Sequence, residues 1–155
     1  MRVLLATDSF PPNCGGSGWS TYELARGLRA RGHQIEIVHA ASGTTAGRFN
    51  RTYDDFAVTG IGVSAPDIPY VRNYFKNERL YPKVSDLLLE RIRLENFELV
   101  HGQHVMTALP AVAAAERASE WWCRGSAQPG EQVYSKACPF LLRAGWRGPS
   151  LFILC

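Results

Sequence analysis

Val3-Leu4-Leu5-Ala6-Thr7-Asp8-Ser9-Phe10-Pro11-Pro12-Asn13-Cys14-Gly15-Gly16 is the stretch that decides the fold. Its first four residues are apolar and read as a strand. The run Pro11 to Gly16 then leads into an amphipathic segment that ends at Gly32-His33. A glycine-rich turn between a first strand and a first helix lets a ligand approach the backbone. The free N–H groups at the helix N-terminus attract anionic groups such as phosphate. The opening of the chain is therefore built like a phosphate-facing loop. The alternative is a glycine-rich connection that only reverses the chain, and Gly18, Trp19 and Ser20 fit either.

Spacing argues against two nucleotide folds. A dinucleotide fingerprint needs Gly-x-Gly-x-x-Gly and a carboxylate at the end of the second strand. Gly16 and Gly18 supply the first pair, but Thr21 stands where the third glycine belongs, and the second strand ends Val38-His39-Ala40. A nucleoside triphosphate P-loop is excluded because no Gly-Lys-Ser/Thr follows the glycines.

Outward from the loop the elements alternate. Strands are expected at about 2–6, 34–39, 56–63 (broken near Gly60 and Gly62) and 98–101. Helices are expected at about 20–31, 70–79, 83–94 and 109–118. Ser20 and Glu23 stand at capping-box spacing, and Pro82 suits the first turn of a new helix. Residues 41–51, rich in Gly, Ser and Thr, read as a loop. The expected class is α/β: a three-layer Rossmann-like parallel sheet with helices on both faces, incomplete, with an irregular C-terminal tail. In such sheets ligands bind beyond the carboxyl ends of the strands, here the loops starting at Thr7, Ala40, Ser64 and Gly102.

The pattern Pro11, Pro12, Gly15, Gly16, Leu24, Ala25, Leu28, Gly32, His33 resembles the N-terminal domain of the retaining GT-B glycosyltransferases of family 4. A second block, Phe97-Glu98-Leu99-Val100-His101-Gly102-Gln103-His104, is similar to that family's acidic-apolar-apolar-His strand and loop. Gly18 departs from it, since an acidic residue commonly stands there. The resemblance implies transfer of a sugar from a nucleoside-diphosphate sugar to the hydroxyl of an unknown acceptor. It implies no other cofactor, and no metal is expected. The backbone of Gly15 and Gly16 would approach the diphosphate. His104 would face the cleft as the candidate catalytic residue, with Asp8 and His101 as further binding candidates. Asp8 orients the loop or the acceptor, or only caps its turn; His101 has a role or is a hydrogen-bonded strand residue. On this basis residues 1–118 form the acceptor-side domain, and the donor-binding domain is not in the chain. A Glu-x7-Glu pair belongs to that second domain; Glu90 and Glu98 match its spacing by coincidence.

At 155 residues, 46% hydrophobic and 20% charged, the chain has material for one domain with a real core. A net charge of +3 leaves no footprint for nucleic acid, and none is expected as a partner. The apolar run Val3–Ala6 before Thr7 is too short for a signal peptide, so a cytoplasmic location is expected, with the cysteines as thiols. From about Glu116 the text changes. Trp121, Trp122, Trp146, Cys123, Cys138 and Cys155 crowd residues 119–155, an atypical tail of the kind that truncation or a shifted reading frame leaves. Arg72, Lys76, Arg79 and Lys83 recur at helical spacing beside Tyr70, Tyr74, Phe75 and Tyr81. Such a stripe fits contact with an anionic membrane surface, or a solvated face over the cleft. Three functions stay open: half of a glycosyltransferase, inactive alone; a product of a broken gene; or a small protein binding a nucleotide or sugar phosphate.

Overall fold

In the computed structural model the described residues are 1–42, 46–64, 71–125, 137–138, 141–143 and 152–154, with side chains described for 1–41, 46–64, 78–104 and 106–118. The chain runs β1 (Arg2–Thr7), α1 (Gly16–Ala30), β2 (Gln34–Ser42), β3 (Gly47–Tyr53), β4 (Phe56–Val63), α2 (Val71–Glu95), β5 (Leu99–Gly102) and α3 (Val105–Gly125). Short strands β6 (Ala137–Cys138), β7 (Leu141–Arg143) and β8 (Phe152–Leu154) follow. Among the described residues one sheet has the order β3-β4-β2-β1-β5-β8-β7-β6.

Strands β4, β2, β1, β5 and β8 are parallel, and β3 is antiparallel to β4. Parallel strands are buried on both faces, and β1 shows it residue by residue. Leu4 and Ala6 pack with Val38, Ala40 and Val100 under α2 and α3, against Leu80, Val84, Leu88, Ala111 and Ala114. Val3 and Leu5 face the other way, with Ile37, Val58 and Phe56, against Ala25 of α1. Helices therefore cover both faces, as the α/β patterning predicts.

The chain reverses its direction across the sheet between β1 and β5. From β1 it steps through α1 to β2 on one side; from β4 it crosses through α2 to β5 on the other. A crevice opens where strand order reverses, so the loops after β1 and β5 meet at this switch point.

Five local expectations are corrected. The first helix starts at Gly16, not Ser20: Ser20 lies inside it, and Glu23 pairs with Arg26 at 2.9 Å instead of capping. Its end follows the Gly-His signal, because Gly32 at φ +83 lets its N–H reach the Arg29 carbonyl and that of His33 the Leu28 carbonyl. Much of the supposed loop 41–51 is strand, forming a hairpin whose two-residue turn, Asp54-Asp55, has φ +47 and +62. Strand β4 is unbroken; Gly60 leaves room for the Phe49 ring laid over it. Pro82 starts no helix but sits within α2, on an exposed turn where water can take the freed carbonyl. Similarly, Leu109-Pro110 lies inside α3, which begins at Val105.

Candidate functional site at the sheet switch point

The loop after β1 is fastened from beneath. Thr7, fully buried, donates its hydroxyl to the Ser9 carbonyl at 2.8 Å, and its oxygen lies 3.3 Å from the Thr21 hydroxyl. Thr21 in turn donates to the Ser17 carbonyl at 3.1 Å. The residue standing in the place of a third glycine is thus the peg that joins α1 to the strand end. Asp8 is half-buried, and the turn it begins is closed by Thr7.

Gly15 is the N-cap of α1, at φ −83 and ψ −170, and its carbonyl receives the N–H groups of Gly18 and Trp19. No side chain caps this end, and its first turn has no acidic residue. The positive end of the helix dipole is therefore left open. A Cβ built on Gly15 or Gly16 meets nothing within 4 Å. Neither backbone conformation nor internal packing calls for glycine at these two positions; what glycine contributes there is bare backbone. Gly18 is the opposite case. A Cβ there would fall 2.5 Å from Cys14 Cβ and 2.9 Å from Ser9 Oγ, which accounts for the missing acidic side chain.

The second loop is sealed. Gly102, at the end of β5, is pressed on α3, where a Cβ would lie 2.5 Å from Ala108 Cα. The Gln103 N–H donates to the Ala6 carbonyl at 2.8 Å, which ties this loop directly to the end of β1. Thr107, fully buried, donates to the same carbonyl at 3.0 Å and approaches the Gln103 carbonyl. His104 is the residue before α3; its carbonyl receives the N–H groups of Thr107 at 3.1 Å and Ala108 at 2.8 Å. Its φ is +74, a left-handed conformation that histidine adopts more often than most residues, and its side chain is exposed.

His101 lies one step back on β5, half-buried, in register with Leu5, and its Nε2 is 2.9 Å from Gln103 Oε1. The structure thus brings Asp8, Gly15, Gly16 and His104 to one end of the sheet, with His101 just inside it. Glu90 and Glu98 are not brought together. Glu90 pairs bidentately with Arg48, and Glu98 accepts the Arg2 N–H at 2.9 Å. Arg79 and Lys83 are exposed on α2, while the side chains of Arg72 and Lys76 lie outside those described.

A family model described as Glycosyltransferase Family 4 matches residues 14–123. The chain belongs to glycosyltransferase family 4. The match takes in both the Gly15-Gly16 turn and the His101–His104 block, and it runs past Glu116 to Cys123. Among curated proteins none matches the chain. Among solved structures it is similar to one described as "Trehalose-6-phosphate from E. coli bound with UDP-2-fluoro glucose", at TM-score 0.36 and 8% identity. That likeness covers 99% of this chain and 48% of the other, so the chain spans about half the length of that protein.

Some residues of this family 4 site carry no sequence signal of their own. Thr7, Thr21, Gln103 and Thr107 hold the two loops through bonds to backbone carbonyls. Two more, His39 on β2 and Arg51 on β3, meet behind the first loop: Arg51 Nη2 is 3.3 Å from the Phe10 carbonyl and 3.4 Å from His39 Nδ1. Burial, and after it the Arg51 charge, hold the His39 imidazole below its ordinary pKa. The Asp8 backbone and carboxylate pull the other way.

Proposed function

We propose that this family 4 domain is the acceptor-side half of a retaining glycosyltransferase that takes a nucleoside-diphosphate sugar as donor. In that reaction the bond from the anomeric carbon to the diphosphate breaks, a bond to the acceptor oxygen forms on the same face of the sugar, and the hydroxyl proton passes to the departing diphosphate. The barrier depends on charge developing on the departing diphosphate, so fixed donors and dipoles lower it more than a strong base does. The uncapped N-terminus of α1, bare at Gly15 and Gly16, is suited to that charge. His104, held at the start of α3 by its own carbonyl, has its imidazole available to the sugar or the acceptor. Turnover requires a donor-binding domain closing over this crevice, so the domain alone is inactive.

The observation that carries the proposal is the convergence of the two loops, pinned together by the Gln103 N–H on the Ala6 carbonyl. Titration of the chain with UDP-glucose and GDP-mannose, read by amide chemical shifts, tests it. Shifts confined to Gly15, Gly16, Ser17 and His104 are expected. A chain that responds to neither donor, or responds only at residues remote from both loops, sinks the proposal.

A further inference from the structure

The hairpin formed by β3 and β4 touches the glycine loop through Arg51. Its Nη2 donates to the Phe10 carbonyl and toward His39 Nδ1. Arginine has no acceptor and does not lose its proton, so His39 Nδ1 must be unprotonated for that contact to exist. Among the described residues Arg51 Nε is buried without a partner, and no carboxylate forms a salt bridge with this guanidinium. A half-buried cation resting on two neutral acceptors is costly as mere strand decoration. Its position gives it another use, because the Phe10 carbonyl immediately precedes Pro11-Pro12 in the loop that presents Gly15 and Gly16.

His39 is half-buried near the end of β2. In register it has Thr7 on β1 and Gly60 on β4, neither charged. The Phe49 ring from β3 stands edge-on at 5.9 Å. The charges that act on it are Arg51 from β3 and Asp8 from the loop after β1.

We propose that Arg51 is a positioning residue that clamps the glycine loop through the Phe10 carbonyl, and that protonation of His39 releases the clamp. With His39 neutral, Nδ1 and the carbonyl share the guanidinium. With His39 protonated, a donor faces a donor and two cations stand side by side, so Arg51 leaves and the loop loses its hold. Burial keeps His39 neutral at pH 7, and release comes as pH falls below the ordinary imidazole range. The consequence for ligand binding rests on the glycosyltransferase proposal; the clamp itself does not.

The test is 15N relaxation of the full chain between pH 7.5 and 5, read at the amides of Phe10, Asn13, Cys14, Gly15 and Gly16. Order parameters are expected to fall from about 0.85 to below about 0.6 as His39 titrates, with core amides of β1 and β2 unchanged. His39→Gln, whose amide oxygen accepts from Arg51 and does not titrate, should hold the loop rigid throughout. Arg51→Met should loosen it at every pH, and Arg51→Lys should restore part of the rigidity. A wild-type loop with no pH dependence overturns the proposal, and so does a pH dependence that survives in His39→Gln. If Arg51→Met fails to fold, His39→Gln still decides. A chain whose loop titrates while Gly15 and Gly16 ignore UDP-glucose keeps the clamp and loses the glycosyltransferase proposal instead.

Discussion

Two glycine-containing loops meet at the switch point of this sheet, and they are built on opposite plans. After β5, Gly102 is filled by α3, His104 offers its carbonyl to the helix, and Thr107 bonds back to the strand end. After β1, Gly15 and Gly16 have nothing near them, and the helix they begin is uncapped. The same residue type thus serves packing in one loop and access in the other. A glycine whose space is taken by its own protein reports on stability; at Gly15 and Gly16 the space is empty and no positive φ requires glycine, so the bare backbone is left for the ligand contact proposed above.

The largest effect is expected where the glycine is filled. Gly102→Val puts a branched side chain into the backbone of α3, and overpacking of that kind costs about 3 kcal/mol. Urea unfolding measures it, and a loss below about 1 kcal/mol would show that α3 is not seated on β5 as described. Gly18→Ala comes next, at about 2 kcal/mol, because the methyl meets Cys14. Here a double-mutant cycle sharpens the point. Cys14→Gly removes the obstructing Cβ and Sγ together and should recover most of the loss; additive effects would mean that the two do not compete for one space.

Thr107→Val is isosteric but takes a donor from buried carbonyls, at about 1.5 kcal/mol. The Ala6 carbonyl keeps the Gln103 N–H, which limits the damage. Thermal unfolding that is indifferent to the change would remove Thr107 from the seal. Smaller again is the proton effect at His39. Its folded-state pKa lies below the unfolded value of about 6.5, so between the two the unfolded chain binds more protons. Stability is complete above that window and falls as pH drops through it. His39→Gln should flatten this part of the stability profile, and a wild-type profile flat between pH 7 and 5 contradicts the assignment.

How much of this was legible in the sequence follows from where each bond ends. Strand β1 announces itself, because a parallel strand buried on two faces needs a continuous apolar run, whereas β2 and β4 are legible through their Ile and Val despite Glu36 and His39 in one and Gly60 and Gly62 in the other. The hairpin strand β3 does not: as an outer strand it alternates Arg48, Asn50 and Thr52 with half-buried residues, and its turn uses Asp-Asp where glycine is the usual signal. Helix starts are obscured because Ser20 with Glu23 and Pro82 imitate N-terminal chemistry in helix interiors. At the site, Gly15, Gly16 and His104 stand out in the text. The residues that fix them answer to partners far along the chain, as Thr107 does to Ala6 and Arg51 to Phe10. No local pattern encodes such pairs.

The smallest change in stability carries the most information. Gly16→Ala, in the first turn of α1, places a methyl in open space and lowers the entropy of the unfolded chain. At compatible positions this exchange stabilises by about 0.4–1 kcal/mol; Gly15→Ala gains the same entropy but loses at the N-cap, where alanine is much poorer than glycine, and is expected to bring no net stabilisation. If the bare backbone serves only to turn the chain, Gly16→Ala is a silent improvement. If it serves a diphosphate, the methyl stands where the ligand must come, and the UDP-glucose response at Ser17 and His104 disappears from a protein that is more stable than before. A loss of binding without a loss of stability is what separates the open loop from the sealed one. Gly102→Val, by contrast, loses both together.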